Sequence, residues 1–312
     1  MQYQKPSLSF REQIERLQAR GLIIENLNIA EETLARISYY RLSAYTRFFQ
    51  DEKSQQHQFK DGSKFEDVIR FYEFDKSLRM LVFNAIESIE VAVRTQVIYH
   101  YSQVYGSHWY LDQSLFKHPD FHQSLINEIT EYCQKKNVAV FVKHYRQKYS
   151  SPMLPPCYMA LETISFGKLS KLLKELNPCD ACQNIYDYFG LTYKALISWL
   201  HSLCYIRNIC AHHARLLNIY LPISPSIPNT LPCLWLRRST VSDLRRNGKN
   251  DFFIALCVIQ YLLNAIKAKH HFSGFLHQTL AQYPSVPIAT MGFPEYWCNE
   301  PLWNHESSSV LR

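Results

Sequence analysis

Residues 78–93 read LRMLVFNAIESIEVAV, and their spacing decides the fold class. Extended to Val97, the apolar positions Leu78, Leu81, Val82, Ala85, Ile86, Ile89, Val93 and Val97 recur at i, i+3 and i+4. That is one face of a helix with 3.6 residues per turn, whereas a strand would alternate with period two. Arg79, Glu87 and Glu90 make the stretch too charged to span a bilayer, and it is also too short. Glu90 and Arg94, four apart, lie beside the stripe and read as an ion pair.

Working outward, "SFREQIERLQARG" from Ser9 predicts a helix opened by a Ser9–Glu12 capping box and closed at Gly21. "NIAEETLARISYYRLSAYTRFF" predicts a second helix, with Asn28 as its N-cap. Residues 50–64 are polar and read as a loop, before the long helix that starts at Phe65. Further helices are expected near 120–136, 138–148, 158–176, 180–189, 192–218 and 251–271, with a shorter one to about Tyr283. Between them, "LPISPSIPNTLPCLWLRRSTVSDLRRNGK" is expected to form an irregular, proline-rich basic flap over about 221–250. No repeat and no sustained strand alternation appear. The expected architecture is all-α: an N-terminal helical extension (1–60), a helical core (61–283) and a tail packing on that core (284–312).

Composition agrees with long helices. Of 312 residues, 47% are hydrophobic and 20% charged, which supports a sizeable core and argues against disorder. Eight glycines leave few positions for tight hairpin turns. A net charge of +7 suits an anionic partner. Nine cysteines with no regular framework read as reduced thiols. The start, "MQYQKPSLSFREQ", lacks an apolar signal region, so a cytoplasmic protein without a membrane segment is expected.

The chemistry is concentrated in "YIRNICAHHARLLN", residues 205–218, where Arg207, Asn208, His212 and His213 interrupt an otherwise apolar helix. Burying such groups without partners is costly. Catalytic zinc helices present histidines four apart, whereas His212 and His213 are adjacent and point about 100° apart. "CDAC" at Cys179 and Cys182 has no second pair at zinc-ribbon spacing and reads as two thiols at a helix start. No metal and no cofactor are therefore expected. A phosphate pocket uses the spacing better. Asn208 and His212 are i, i+4 on one face, and the guanidinium of Arg207 can swing towards the same point. Together they supply a phosphate clamp, an orienting amide and an imidazole that can take or give a proton. Those parts cleave RNA without metal: a base takes the ribose 2′-hydroxyl proton, and a cation stabilises the phosphorane. The same residues could also simply satisfy one another at a helix interface.

Arg207-Asn208-(three residues)-His212 resembles the R-(polar)-x-x-x-H signature of the HEPN superfamily, helical proteins many of which are metal-independent ribonucleases. More narrowly, the chain resembles the abortive-infection AbiD/AbiF-like family. The ordered segments that carry the likeness are "ISYYRLSAYTRFF" (37–49), "FYEFDKSLRMLVFNAIESIEVAVRTQ" (71–96), "GSHWYL" (106–111), "ETISFGKLSKLLKEL" (162–176), "RNICAHHARLLN" (207–218) and "MGFPEYW" (291–297). The resemblance implies a helical bundle, usually a homodimer with a composite cleft. It also implies a toxin-like role in phage defence, restrained by a protein or RNA antitoxin. Carried over, Arg207 binds phosphate, Asn208 is the polar position and His212 is the histidine, with His213 an auxiliary candidate because superfamily spacing varies.

"RTQVIYH" offers a second match, Arg94 with His100, but its polar position is Thr95 and Arg94 already has Glu90. Glu90 and Arg94 are thus expected to border the cleft as auxiliaries. Arg237, Arg238, Arg245, Arg246 and Lys249, with Trp235 nearby, form a basic patch that would suit an RNA backbone and a stacked base. Solvated charge on a loop is the plainer alternative. "HWY" at 108–110 reads as a loop packed on the bundle. The function expected is a metal-independent endoribonuclease acting on single-stranded RNA. The rivals are a non-catalytic RNA- or nucleotide-binding module and a structural interaction protein.

Overall fold

The computed structural model describes residues 2, 4, 6–247 and 251–304. Thirteen α-helices and no named strand occur among them, so the all-α expectation holds. The chain forms two compact units, one of residues 1–79 and 276–287, the other of 80–275 and 288–312. The division falls inside a helix, not at the polar loop before it. Local packing explains this, because the first turns of that helix are tied to the N-terminal segment.

In the first unit, α1 (Phe10–Ala19) carries the expected capping box: the Glu12 backbone N–H donates to Ser9 Oγ, and the Ser9 N–H donates back to Glu12 Oε2. The helix α2 (Leu27–Ile37) is capped by Asn26, which accepts from the Ile29 N–H, and not by Asn28. Asn26 has the extended backbone that a cap requires, whereas Asn28 already lies in the first turn. The expected single helix through Phe49 is broken at Ser38, whose φ is 68°. Its hydroxyl caps α3 (Tyr39–Thr46) by accepting from the Arg41 N–H.

The long helix α4 (Phe65–Tyr105) starts in this unit. Its Asp75 and Arg79 are buried as an ion pair, and Tyr45 of α3 donates to Asp75 at 2.6 Å. Phe74 packs edge-on against Tyr283, which brings residues 276–287 into the unit.

The second unit contains the rest of α4, then α5 (Pro119–Gln134), α6 (Val140–Lys148), the single turn α7 (Cys157–Ala160), α8 (Phe166–Glu175), α9 (Asp180–Phe189) and α10 (Tyr193–Ala211). These are followed by α11 (Arg238–Asn247), α12 (Asp251–Ala265) and α13 (Phe272–Gln282), the last passing into the first unit after Phe275. The expected helix at 158–176 is interrupted by a 3₁₀ turn over Leu161–Thr163, and Ser165 then caps α8.

Helix α10 packs against α8, α9 and α12. Its core residues Leu196, Trp199, Leu200, Leu203 and Ile206 are buried. From Phe252 to Leu263, α12 is buried on every face, which an apolar helix achieves only at the centre of a bundle. The flap is not wholly irregular, since its basic end forms α11. Among the described residues, no helix is long and apolar enough to cross a membrane.

Candidate functional site

Glu90 and Arg94 lie one turn apart on α4, with the pair at 2.7 Å. Arg94 is thoroughly engaged. Its Nε donates to the Leu161 carbonyl at 3.1 Å, it reaches the Ile164 carbonyl at 3.4 Å, and Glu162 lies 3.7 Å away. The 3₁₀ turn before α8 is what aims those carbonyls at it. Glu162 and the two carbonyls are partners that no local pattern indicates, because they come from a segment nearly seventy residues further along the chain.

Glu90 faces a second arginine. Oε2 lies 3.6 Å from a terminal nitrogen of Arg207 on α10, so one carboxylate bridges two helices and two guanidiniums. At that distance the second contact is an ion pair rather than a good hydrogen bond. Arg207 also donates to Asn208 Oδ1 at 3.2 Å. With its side chain 30% exposed, against 9% for Arg94, Arg207 is the member of the pair that an external anion can reach. Beneath them Cys204 donates to the Phe166 carbonyl, and burial raises its thiol to about 12, so it stays neutral.

The expected helix to residue 218 ends at Ala211. His212 is the C-cap; its N–H still bonds the Asn208 carbonyl at 2.9 Å, so it continues the helical path one turn beyond Asn208. His213 takes a left-handed φ of 55°. Its N–H bonds the Cys210 carbonyl, and the Ala214 N–H bonds that of Ile209, the paired bonds of a Schellman ending. The two histidines are therefore distinct. His212 is exposed at the helix end beside Asn208, and His213 occupies the turn position that glycine usually fills.

The other candidates separate. Arg237 accompanies Glu300 at 3.9 Å, Arg246 pairs with Asp243, and Arg245 donates to Asn229 Oδ1 and the Ile227 carbonyl, fastening α11 to the flap. Arg238 has no polar side-chain partner among the described residues, and Lys249 lies outside them. Trp235, expected as a stacking surface, is buried. Trp199 stacks on it at 5.6 Å and Tyr261 meets it edge-on, so it presents no face to a base. His100 bonds Gln96, apart from Arg94's partners, and Trp109 and Tyr110 are core residues. Among the described residues, no three His, Cys, Asp or Glu side chains gather as metal ligands.

These features define an all-α protein with a carboxylate-bridged arginine pair at the end of a bundle helix. The model of the Abi-like protein family matches residues 32–218, more than half the chain and inclusive of every residue of that pair, and the chain belongs to this family. Membership points to an abortive-infection role. No curated protein and no solved structure matches the chain.

Proposed function

We propose that this protein is a HEPN-type, metal-independent endoribonuclease of an abortive-infection system, acting in the cytoplasm as a homodimer on single-stranded RNA and held in check by a protein or RNA antitoxin. The observation that carries the reading is the asymmetry around Glu90: Arg94 is consumed by the fold, while Arg207 stays open beside an exposed His212. In this reading Glu90 and Asn208 position the Arg207 fork, which binds a phosphodiester and stabilises the charge that grows on its equatorial oxygens. His212 takes the proton of the ribose 2′-hydroxyl, whose oxygen attacks phosphorus. The leaving 5′-oxygen is protonated by the second His212 of the composite cleft.

Products should then carry 2′,3′-cyclic phosphate and 5′-hydroxyl ends. Cleavage should persist in EDTA, disappear when the 2′-hydroxyl is methylated, and be lost in a folded His212→Ala variant. Strictly Mg²⁺-dependent cutting that leaves 3′-hydroxyl ends would overturn the mechanism. Tight RNA binding without cleavage would reassign the pocket to a binding module.

A further inference from the structure

Cys179 and Cys182 sit away from the arginine pair, at the start of α9, and the proposed RNA chemistry does not use them. Both line a half-open cavity of about 830 Å³ whose wall includes Pro178, Tyr186, Leu191 and Pro232. Lys117 stands in the same wall, with its ammonium over the Tyr193 ring. Cys179 is partly exposed and Cys182 is buried. Cys179 is the extended residue that precedes the first turn of α9, and Cys182 lies in that turn. Here a single hydroxyl marks how near the sulfurs are: Tyr101 of α4 lies 2.8 Å from Cys182 Sγ and 3.4 Å from Cys179 Sγ. Gly190, with φ of 62°, keeps one wall close, since a Cβ there would meet Pro232 at 2.6 Å.

From this placement we infer that Cys179 and Cys182 form a thiol–disulfide exchange site, with Cys179 the attacking sulfur, Cys182 the resolving one and a small anionic disulfide the reactant. Lys117 is the cation that a carboxylate of such a reactant would meet. The Cys179 thiolate attacks one sulfur of the reactant RSSR, forming a mixed disulfide and releasing RS⁻. Cys182 then attacks Cys179 Sγ and expels the second RS⁻. The two thiol protons go to the two leaving thiolates, so the dithiol is oxidised and RSSR is reduced to two RSH.

The electrostatics favour that division of labour. Partial burial opposes ionisation of Cys179, but hydrogen bonding, that of Tyr101 foremost, outweighs it and holds the thiol below its ordinary value. Burial raises Cys182. When Cys179 is a thiol it donates to the Tyr101 oxygen; once it ionises, the hydroxyl can turn and donate to the sulfur.

The probe is glutathione disulfide, added to reduced full-length protein carrying Cys233→Ser and Cys298→Ser, which removes the two exposed cysteines. After an acid quench and denaturation, the expected results are loss of both Cys179 and Cys182 from alkylation, with a linked peptide in mass spectra. In the same background, Cys182→Ser should accumulate a glutathione adduct on Cys179, and Cys179→Ser should form none on Cys182. If both cysteines remain alkylatable in protein whose thermal melt is unchanged, the inference fails. It fails equally if Cys182→Ser traps no adduct. Neither result bears on RNA cleavage, so the two readings stand or fall separately.

Discussion

Glu90 holds two arginines unequally, and that inequality makes the strongest residue-scale prediction. The Arg94 bond is short and buried, so replacing the carboxylate by an amide leaves a buried cation with weaker partners. Glu90→Gln should lower unfolding free energy by about 1–3 kcal/mol, measured by urea denaturation, because bonds to charged groups are worth more than neutral ones. The helix-ending histidine supplies a second test. A left-handed backbone costs a non-glycine residue about 1–2 kcal/mol and is worst for β-branched side chains. His213→Gly and His213→Val both remove the imidazole, so the difference between them isolates the backbone. The glycine variant should be the more stable of the two by at least about 1 kcal/mol; equal stability would show that the turn is not enforced. The tie between Glu90 and Arg94 was legible from the i, i+4 spacing. The share that Glu90 gives to Arg207 was not, since that contact links helices more than a hundred residues apart.

The element-scale test concerns the turn joining α12 to α13. His270 Nε2 lies 3.0 Å from Asn264 Oδ1, and Nδ1 accepts from the Phe272 N–H at 3.4 Å. That arrangement suits a neutral ring donating through Nε2, because a proton on Nδ1 would face the Phe272 donor. Burial, and then the neighbouring His271, push His270 below its ordinary value of 6.5. The folded state therefore binds protons less readily than the unfolded chain does. The resulting stability is present above the ordinary value and is lost as pH falls through the lowered one. Unfolding free energy should drop as pH falls through the ordinary histidine value of 6.5 and below it, and His270→Gln should flatten that drop. Helix boundaries show the same limit of local reading. The 180–189 helix stands where its pattern predicts, whereas Ser38, a residue compatible with a helix, ends one because its hydroxyl is used as the next cap.

At the scale of the whole molecule, the proposed RNA chemistry predicts where a backbone would lie and that two chains would build the site. Arg237 and the exposed arginines of α11 remain candidates for phosphate, but Arg245 also fastens the flap. Arg237, Arg238 and Arg246 should therefore be neutralised together, leaving Arg245 in place. If all three engage a single strand, the slope of log affinity against log salt should flatten by about two units, at roughly 0.7 per contact. An unchanged slope assigns these charges to solvent. Of the two arginines on Glu90 only Arg207 is open, whereas a phosphorane is better matched by more than one cation. A two-fold axis near α10 would supply the second without new sequence. Co-refolding His212→Ala chains with wild-type should then reduce activity out of proportion to dilution, while proportionate activity would mean that each chain acts alone.

By itself, the sequence determined that the chain is helical, where most of its helices lie and which segment concentrates the polar chemistry. Those properties depend on periodicity, capping residues and spacings within a turn or two, all of which are local. The sequence tied Arg94 to Glu90, but only the tertiary structure brought the carbonyls of the 3₁₀ turn before α8 to Arg94 and set the same carboxylate against a still accessible Arg207. It also decided that Trp235 is packing and not a platform, and that the helix stops at Ala211. Burial and pairing between distant helices arise from the whole set of contacts, and no short stretch of residues encodes them.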